Sequence, residues 1–116
     1  MTLARADQST LVIVDVQEKL APAMPPDARR EVLETARVLL TAAGELSVPV
    51  VATEQYPKGL GETVSEVSGH FPDGAQVINK DSFSCCGERG FTDALVATRR
   101  NQVVIAGMEA HVCVVQ

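Results

Sequence analysis

The sequence predicts an α/β protein built on a mainly parallel sheet. Three observations lead there. Four short runs read as strands, and the first, Leu11 to Val14, is β-branched without the polar alternation of a half-exposed strand. Two longer segments carry apolar residues at helical spacing, and strands and helices alternate along the chain. Such alternation gives parallel neighbours joined by right-handed crossovers.

The first strand is Leu11 to Val14, ended by Asp15-Val16-Gln17. Pro25 and Pro26 then precede Val32, Leu33, Ala36, Leu39, Leu40 and Ala43, which fall on one side of a helix that Gly44 is placed to end. The second strand is read as Val50 to Thr53; Pro49, which has no N–H for a ladder, stands just before it. A polar, Gly-containing loop follows from Glu54 to Gly61, then a short helix over Thr63 to Val67. Gln76 to Asn79 is the third strand, ending at Lys80. Glu88 to Arg100 is the second long helix, with Phe91, Ala94 and Leu95 on its apolar face and Arg99 and Arg100 where cations favour the helix dipole. Val103 to Ala106 is the fourth strand, of fully buried type, followed by Gly107.

Composition agrees with one domain. The chain has 116 residues, 46% of them hydrophobic but only 3% aromatic, so its core is built from aliphatic side chains. A chain of this size buries roughly two-thirds of its unfolded surface. Its net charge of −5 argues against nucleic acid or an anionic membrane as partner, because no basic stripe is available to neutralise phosphates. The 3 cysteines are odd in number, and Cys85 and Cys86 are adjacent, which makes no disulfide framework and suits a reducing, cytoplasmic setting. Near the start the longest apolar run, Leu11 to Val14, is too short for a signal peptide or a membrane span.

Ligands of open parallel sheets bind beyond the carboxyl ends of the strands. The residues there are Asp15 and Gln17, Glu54 to Tyr56, Lys80 to Phe83, and Met108 to Cys113. A carboxylate, an ammonium and a thiol thus follow three different strands, a set that provides a nucleophile, its charge partner and a proton acceptor. Each residue alone has a plainer reading: Asp15 as a turn residue, Lys80 as a solvated cation, Cys113 as a small buried hydrophobe. Their joint placement is what carries the chemistry.

These segments also carry a resemblance. Leu11-Val12-Ile13-Val14-Asp15-Val16-Gln17 resembles the first motif of the isochorismatase-like cysteine hydrolases. Lys80-Asp81-Ser82-Phe83-Ser84 is similar to that family's Lys-x-x-Phe-Ser segment, and Gly107 to Val114 is similar to its nucleophile segment. Thr53 to Gly61 resembles the branch of isochorismatase domain-containing proteins. The likeness runs from about Leu11 to the last residue, with four motifs in order.

The resemblance implies a Rossmann-like three-layer fold and one hydrolase domain over residues 1–116, lacking the family's last helix and strands. It implies a catalytic triad of Asp15, Lys80 and Cys113 acting on a small amide or related carbonyl compound through a thioester. Asp15 would move the protons and Lys80 would hold Asp15 and favour the thiolate. A cis peptide at Met108-Glu109 would aim the backbone N–H groups of Glu109 and Cys113 at the developing oxyanion. Gln17, Gln55, Tyr56 and Phe83 would line the substrate pocket. No metal and no cofactor are expected. Metal-binding relatives have Asp and His ligands after the second strand, where this chain has Glu54-Gln55-Tyr56, and its only histidines are His70 and His111. The resemblance further implies a small-molecule partner and a homo-oligomer.

Other classes fit poorly. A phosphorelay receiver needs an acidic pair after the first strand and an Asp after the third, where Val16 and Lys80 stand. A haloacid-dehalogenase site needs an Asp in place of Gln17, and a dinucleotide fold needs a Gly-rich first turn. The rival of a different kind is a catalytically inactive interaction domain. Only Val114, Val115 and Gln116 follow Cys113, too few for the helix whose N-terminus activates the thiol, and the fourth strand would then form an exposed apolar edge.

Overall fold

The computed structural model describes residues 5–80 and 89–107. Its sheet is four-stranded and parallel: β1 (Ser9–Val14), β2 (Val50–Gln55), β3 (Gln76–Lys80) and β4 (Gln102–Gly107), in the order β3-β2-β1-β4. The helices are α1 (Pro26–Glu45), α2 (Pro57–Leu60), α3 (Ser65–Ser68) and α4 (Arg89–Thr98), with single 3-10 turns at Ala6–Gln8 and Ala21–Ala23.

The α1 helix begins where two prolines make a start natural, since Pro26 in the first turn has no N–H to leave unpaired and Asp27 meets the positive end of the dipole. It does not stop at Gly44. The helix runs to Glu45, Leu46 donates its N–H to the Ala42 carbonyl, and Ser47 at φ 57° turns the chain. A glycine signals a helix end only where the left-handed position falls, and here that position is three residues on. On the exposed face of α1 the Arg37 guanidinium binds Glu34 and holds its carboxyl below the usual range.

Side chains divide between two faces. Leu11, Ile13, Val50 and Ala52 face α1 and α3, packing with Ala36, Leu40, Ala43 and Val67. Val12, Val14 and Val51 face α4, packing with Phe91 and Ala94. The result is three layers, with β1 and β2 buried along their whole length. Leu40 is wholly buried against the β1 face, so Leu40→Ala is expected to cost about 2–5 kcal/mol in chemical denaturation, the usual range for an unfilled core cavity.

The fourth strand departs from expectation. Val104 and Ala106 pack on the α1 side, but Val103 and Ile105 are 47% and 46% exposed because α4 covers β2 and β3 instead. Third-strand residues are likewise mostly open, except Lys80. An apolar run marks a strand without saying whether it is central or at an edge. The α4 helix ends at Thr98 rather than Arg100: Thr98 donates its hydroxyl to the Leu95 carbonyl at 2.8 Å and Arg99 takes φ 57°. Strand and helix bounds otherwise lie within two residues of those expected, and the loop after β2 contains the short α2.

Candidate active site

The strand order sets the location. From β1 the chain steps through β2 to β3, then returns to place β4 on the other side of β1. The reversal therefore falls between β1 and β4, and the carboxyl ends of those strands open a crevice there. Val14 and Gly107, the last residues of the two strands, are register partners at that point.

Asp15 follows Val14 in the left-handed region, at φ 55°. Strand alternation would turn it to the face opposite Val14; the positive φ breaks that alternation and returns the carboxylate to the α4 side. Asp is one of the few side chains that accept this conformation, and strain of this kind gathers at functional sites. Thr53 and Gln55 follow Val51 by two and four residues and so share the α4 face, and Lys80 is the register partner of Gln55. One sheet face thereby gathers four polar side chains from three strands.

The contacts are close and dry. Lys80 Nζ donates to Asp15 Oδ2 at 2.8 Å, and both side chains are fully buried. Thr53 Oγ1 donates to Asp15 Oδ1 at 2.9 Å. Lys80 Nζ also donates to Gln55 Oε1 at 3.1 Å. A buried ammonium and carboxylate each bonded to further polar groups form the arrangement in which two charges survive away from water. Chemically, the pair is a carboxylate held by a cation, able to accept and return a proton beside the reversal point.

Gln17 behaves differently from its expected place against a substrate. It is wholly buried, and its amide is spent on main chain: Nε2 donates to the Gln55 carbonyl at 2.9 Å and the Gly61 carbonyl at 2.7 Å, while Oε1 accepts the Gln55 N–H at 2.7 Å. Gln55 is buried and faces Lys80. Tyr56, at φ 40°, donates its N–H to the Lys80 carbonyl at 3.0 Å and is 56% exposed at the strand end, where a Cβ at Gly59 would run into its ring. Phe83, Glu109 and Cys113, the cis bond expected at Met108-Glu109 and the Cys85-Cys86 pair lie outside the described residues.

Two features escaped sequence reasoning. Thr53 was placed at the strand end without a role, although its two-residue spacing from Gln55 already put both on one face. Glu54, on the other face, is 7% exposed and accepts both the N–H and the hydroxyl of Thr63, at 2.7 and 2.8 Å. This bond fastens the segment before α3 to the end of β2. Among the described residues no group of three His, Cys, Asp or Glu side chains is gathered closely enough to hold a metal ion, and His70 is exposed. None of the described helices is long and apolar enough to cross a membrane.

A parallel α/β sheet with a buried carboxylate–ammonium pair at its strand ends belongs to the class of open-sheet proteins whose ligand sites lie beyond the carboxyl ends of the strands. Residues 9–116 match the family described as Isochorismatase domain, and the chain belongs to that family. It is 36% identical over 106 residues to isochorismatase domain-containing protein 2 of Danio rerio, covering 91% of this chain and 51% of the relative. Among solved structures it is similar to one described as MAR1 ribonuclease from Caenorhabditis elegans, with 36% identity, a TM-score of 0.89, and coverage of 99% of this chain and 57% of that one. It is also similar to an octameric hydrolase from Escherichia coli, the YcaC gene product, with 25% identity, a TM-score of 0.80, and coverage of 95% and 54%. The chain spans about half the length of the curated relatives it matches.

Proposed function

We propose that the chain carries the acid–base half and the nucleophile of a cysteine hydrolase acting on a small amide or related carbonyl compound. The observation that carries this reading is the fully buried Asp15–Lys80 pair, in which Asp15 follows the register partner of Gly107, the last residue of the strand from which the chain runs on to Cys113. Family membership and the hydrolase among its structural neighbours support it.

In the proposed reaction Asp15 accepts the Cys113 thiol proton, and the sulfur attacks the carbonyl carbon. The tetrahedral adduct collapses to a thioester as the C–N bond breaks, and Asp15 returns the proton to the departing amine. Water then attacks the thioester, giving up a proton to Asp15; the acid leaves and Cys113 is restored as a thiol. Lys80 keeps Asp15 oriented and offsets the negative charge gathered around the thiolate. The oxyanion falls to the Glu109 and Cys113 N–H groups. Tyr56 and Phe83 serve as walls of the pocket and Gln55 as the anchor of Lys80, while Gln17 is a positioning residue rather than a substrate contact. No metal or cofactor takes part in this scheme, and a homo-oligomer is proposed for the working form.

The test is an ammonia-release screen over small amides with Cys113→Ala as control. Activity that falls at least a thousandfold in the variant is expected; equal rates in both proteins overturn the nucleophile. A single-stranded RNA arm belongs in the screen because of the ribonuclease neighbour, and the net charge of −5 predicts no cleavage there. The exposed Val103 and Ile105 edge favours the second reading, an inactive interaction domain. That reading prevails if no amide is hydrolysed and size-exclusion chromatography shows association lost on Ile105→Lys.

A further inference from the structure

Resting on the reading of Asp15 as proton acceptor, we propose that Thr53 is a positioning residue of the site, holding the Asp15 carboxylate in the orientation from which it takes the thiol proton. An ionised carboxylate only accepts hydrogen bonds, so the hydroxyl hydrogen of Thr53 points at Asp15 Oδ1 across the 2.9 Å separation. Lys80 from a different strand holds the other oxygen at 2.8 Å. With each oxygen fastened from its own side, the carboxylate plane cannot swing about the Cβ–Cγ bond.

Lysine alone would not do this. Its ammonium is a rotatable point charge on a four-carbon stem and attracts either oxygen. A β-branched threonine on a central strand has a stiff χ1 and a fixed hydroxyl. The main chain shortens the lever further, because the Asp15 N–H donates to the Thr53 carbonyl at 3.1 Å and Val14 is the register partner of Thr53. Glu54 does not compete for Asp15, since it lies on the opposite face, bonded to Thr63. A carboxylate has roughly four lone-pair sites, so fastening both oxygens still leaves sites for the transferred proton.

The experiment measures iodoacetamide alkylation of Cys113 by peptide mapping of the full chain, with Cys85 and Cys86 as internal references. Circular dichroism and thermal unfolding establish that each variant is folded. Thr53→Val keeps the shape and deletes the donor, and it is expected to slow Cys113 alkylation roughly tenfold. Thr53→Ser returns the rate to within about twofold of wild type, a rescue that loss of packing would not give. Thr53→Ala deletes the same donor and decides the matter if the valine variant does not fold. Asp15→Asn slows Cys113 at least as much as Thr53→Val. If Asp15→Asn is slow while Thr53→Val and Thr53→Ala react at the wild-type rate, the role of Thr53 is overturned and the hydrolase reading stands. If Asp15→Asn itself reacts at the wild-type rate, Asp15 is not the proton acceptor, and the inference falls with it.

Discussion

Lys80→Met is expected to lower folding stability by about 3–5 kcal/mol, the cost of leaving one member of a buried ion pair without its partner. Asp15 is fully buried, so losing the ammonium 2.8 Å from its Oδ2 leaves the carboxylate with the Thr53 hydroxyl but, among the described residues, no cation. Methionine fills the stem's volume, which separates the electrostatic loss from a cavity. For a chain of this size the unfolding midpoint should fall on the order of 10–20 °C. Asp15→Asn with Lys80→Met in one chain should cost much less than the two single changes added together, because no unpaired charge remains. Urea denaturation of the four proteins measures this directly. A Lys80→Met loss below about 1 kcal/mol, or simple additivity, would mean that the pair is hydrated or loosely held. On the proposed mechanism both single variants are also inactive, and their stability losses set them apart from Cys113→Ala, for which a chemical loss alone is expected.

The physics of individual residues explains what the sequence made legible. Leu11 to Val14 and Val50 to Ala52 are covered on both faces, and a continuous apolar run is the direct trace of that burial. Val103 to Ala106 leaves the same trace although two of its side chains are open, since hydropathy records what a strand can bury and not which neighbours it has. The site was legible as a set of strand ends. Asp15 and Lys80 meet because of the strand order, with β2 lying between β1 and β3, whereas the alternation of helices and strands implied only parallel neighbours and right-handed crossovers. The detail that lets them meet was not legible: φ 55° at Asp15 undoes the period-two rule that would send its carboxylate to the wrong face. Tyr56 at φ 40° and Ser47 at φ 57° hide in the same way, as ordinary residues in a conformation usually signalled by glycine. Gly44 misled for the converse reason, sitting inside the last turn of α1 against Pro72. For Gln17, its place just past the first strand suggested a substrate contact; only the hydrogen bonds reveal that its amide faces the chain itself.

That last point yields the other large expected effect. Gln17→Leu should destabilise the protein by about 3–5 kcal/mol, because the amide it removes bonds three main-chain groups at a largely buried strand end, and losing such a bond costs roughly 1–3 kcal/mol each. They are the Gln55 N–H, the Gln55 carbonyl and the Gly61 carbonyl. In effect the Gln17 side chain acts as one more rung beyond the end of β1, gripping the last residue of β2 and the turn after α2. Gln17→Glu should be no better: it keeps an acceptor for the Gln55 N–H, loses both donors, and buries a charge against two carbonyl oxygens. Gln17→Asn is shorter by a methylene and cannot span the same groups, so it should fall between wild type and leucine. A substrate contact would behave in the opposite way, with the unfolding midpoint unchanged and KM raised. Thermal unfolding of the three variants beside their kinetics therefore separates the two roles. Because Gln55 in turn holds Lys80 Nζ, the proposed hydrolase activity should fall in the loosened variants in step with stability, as the ammonium drifts from Asp15.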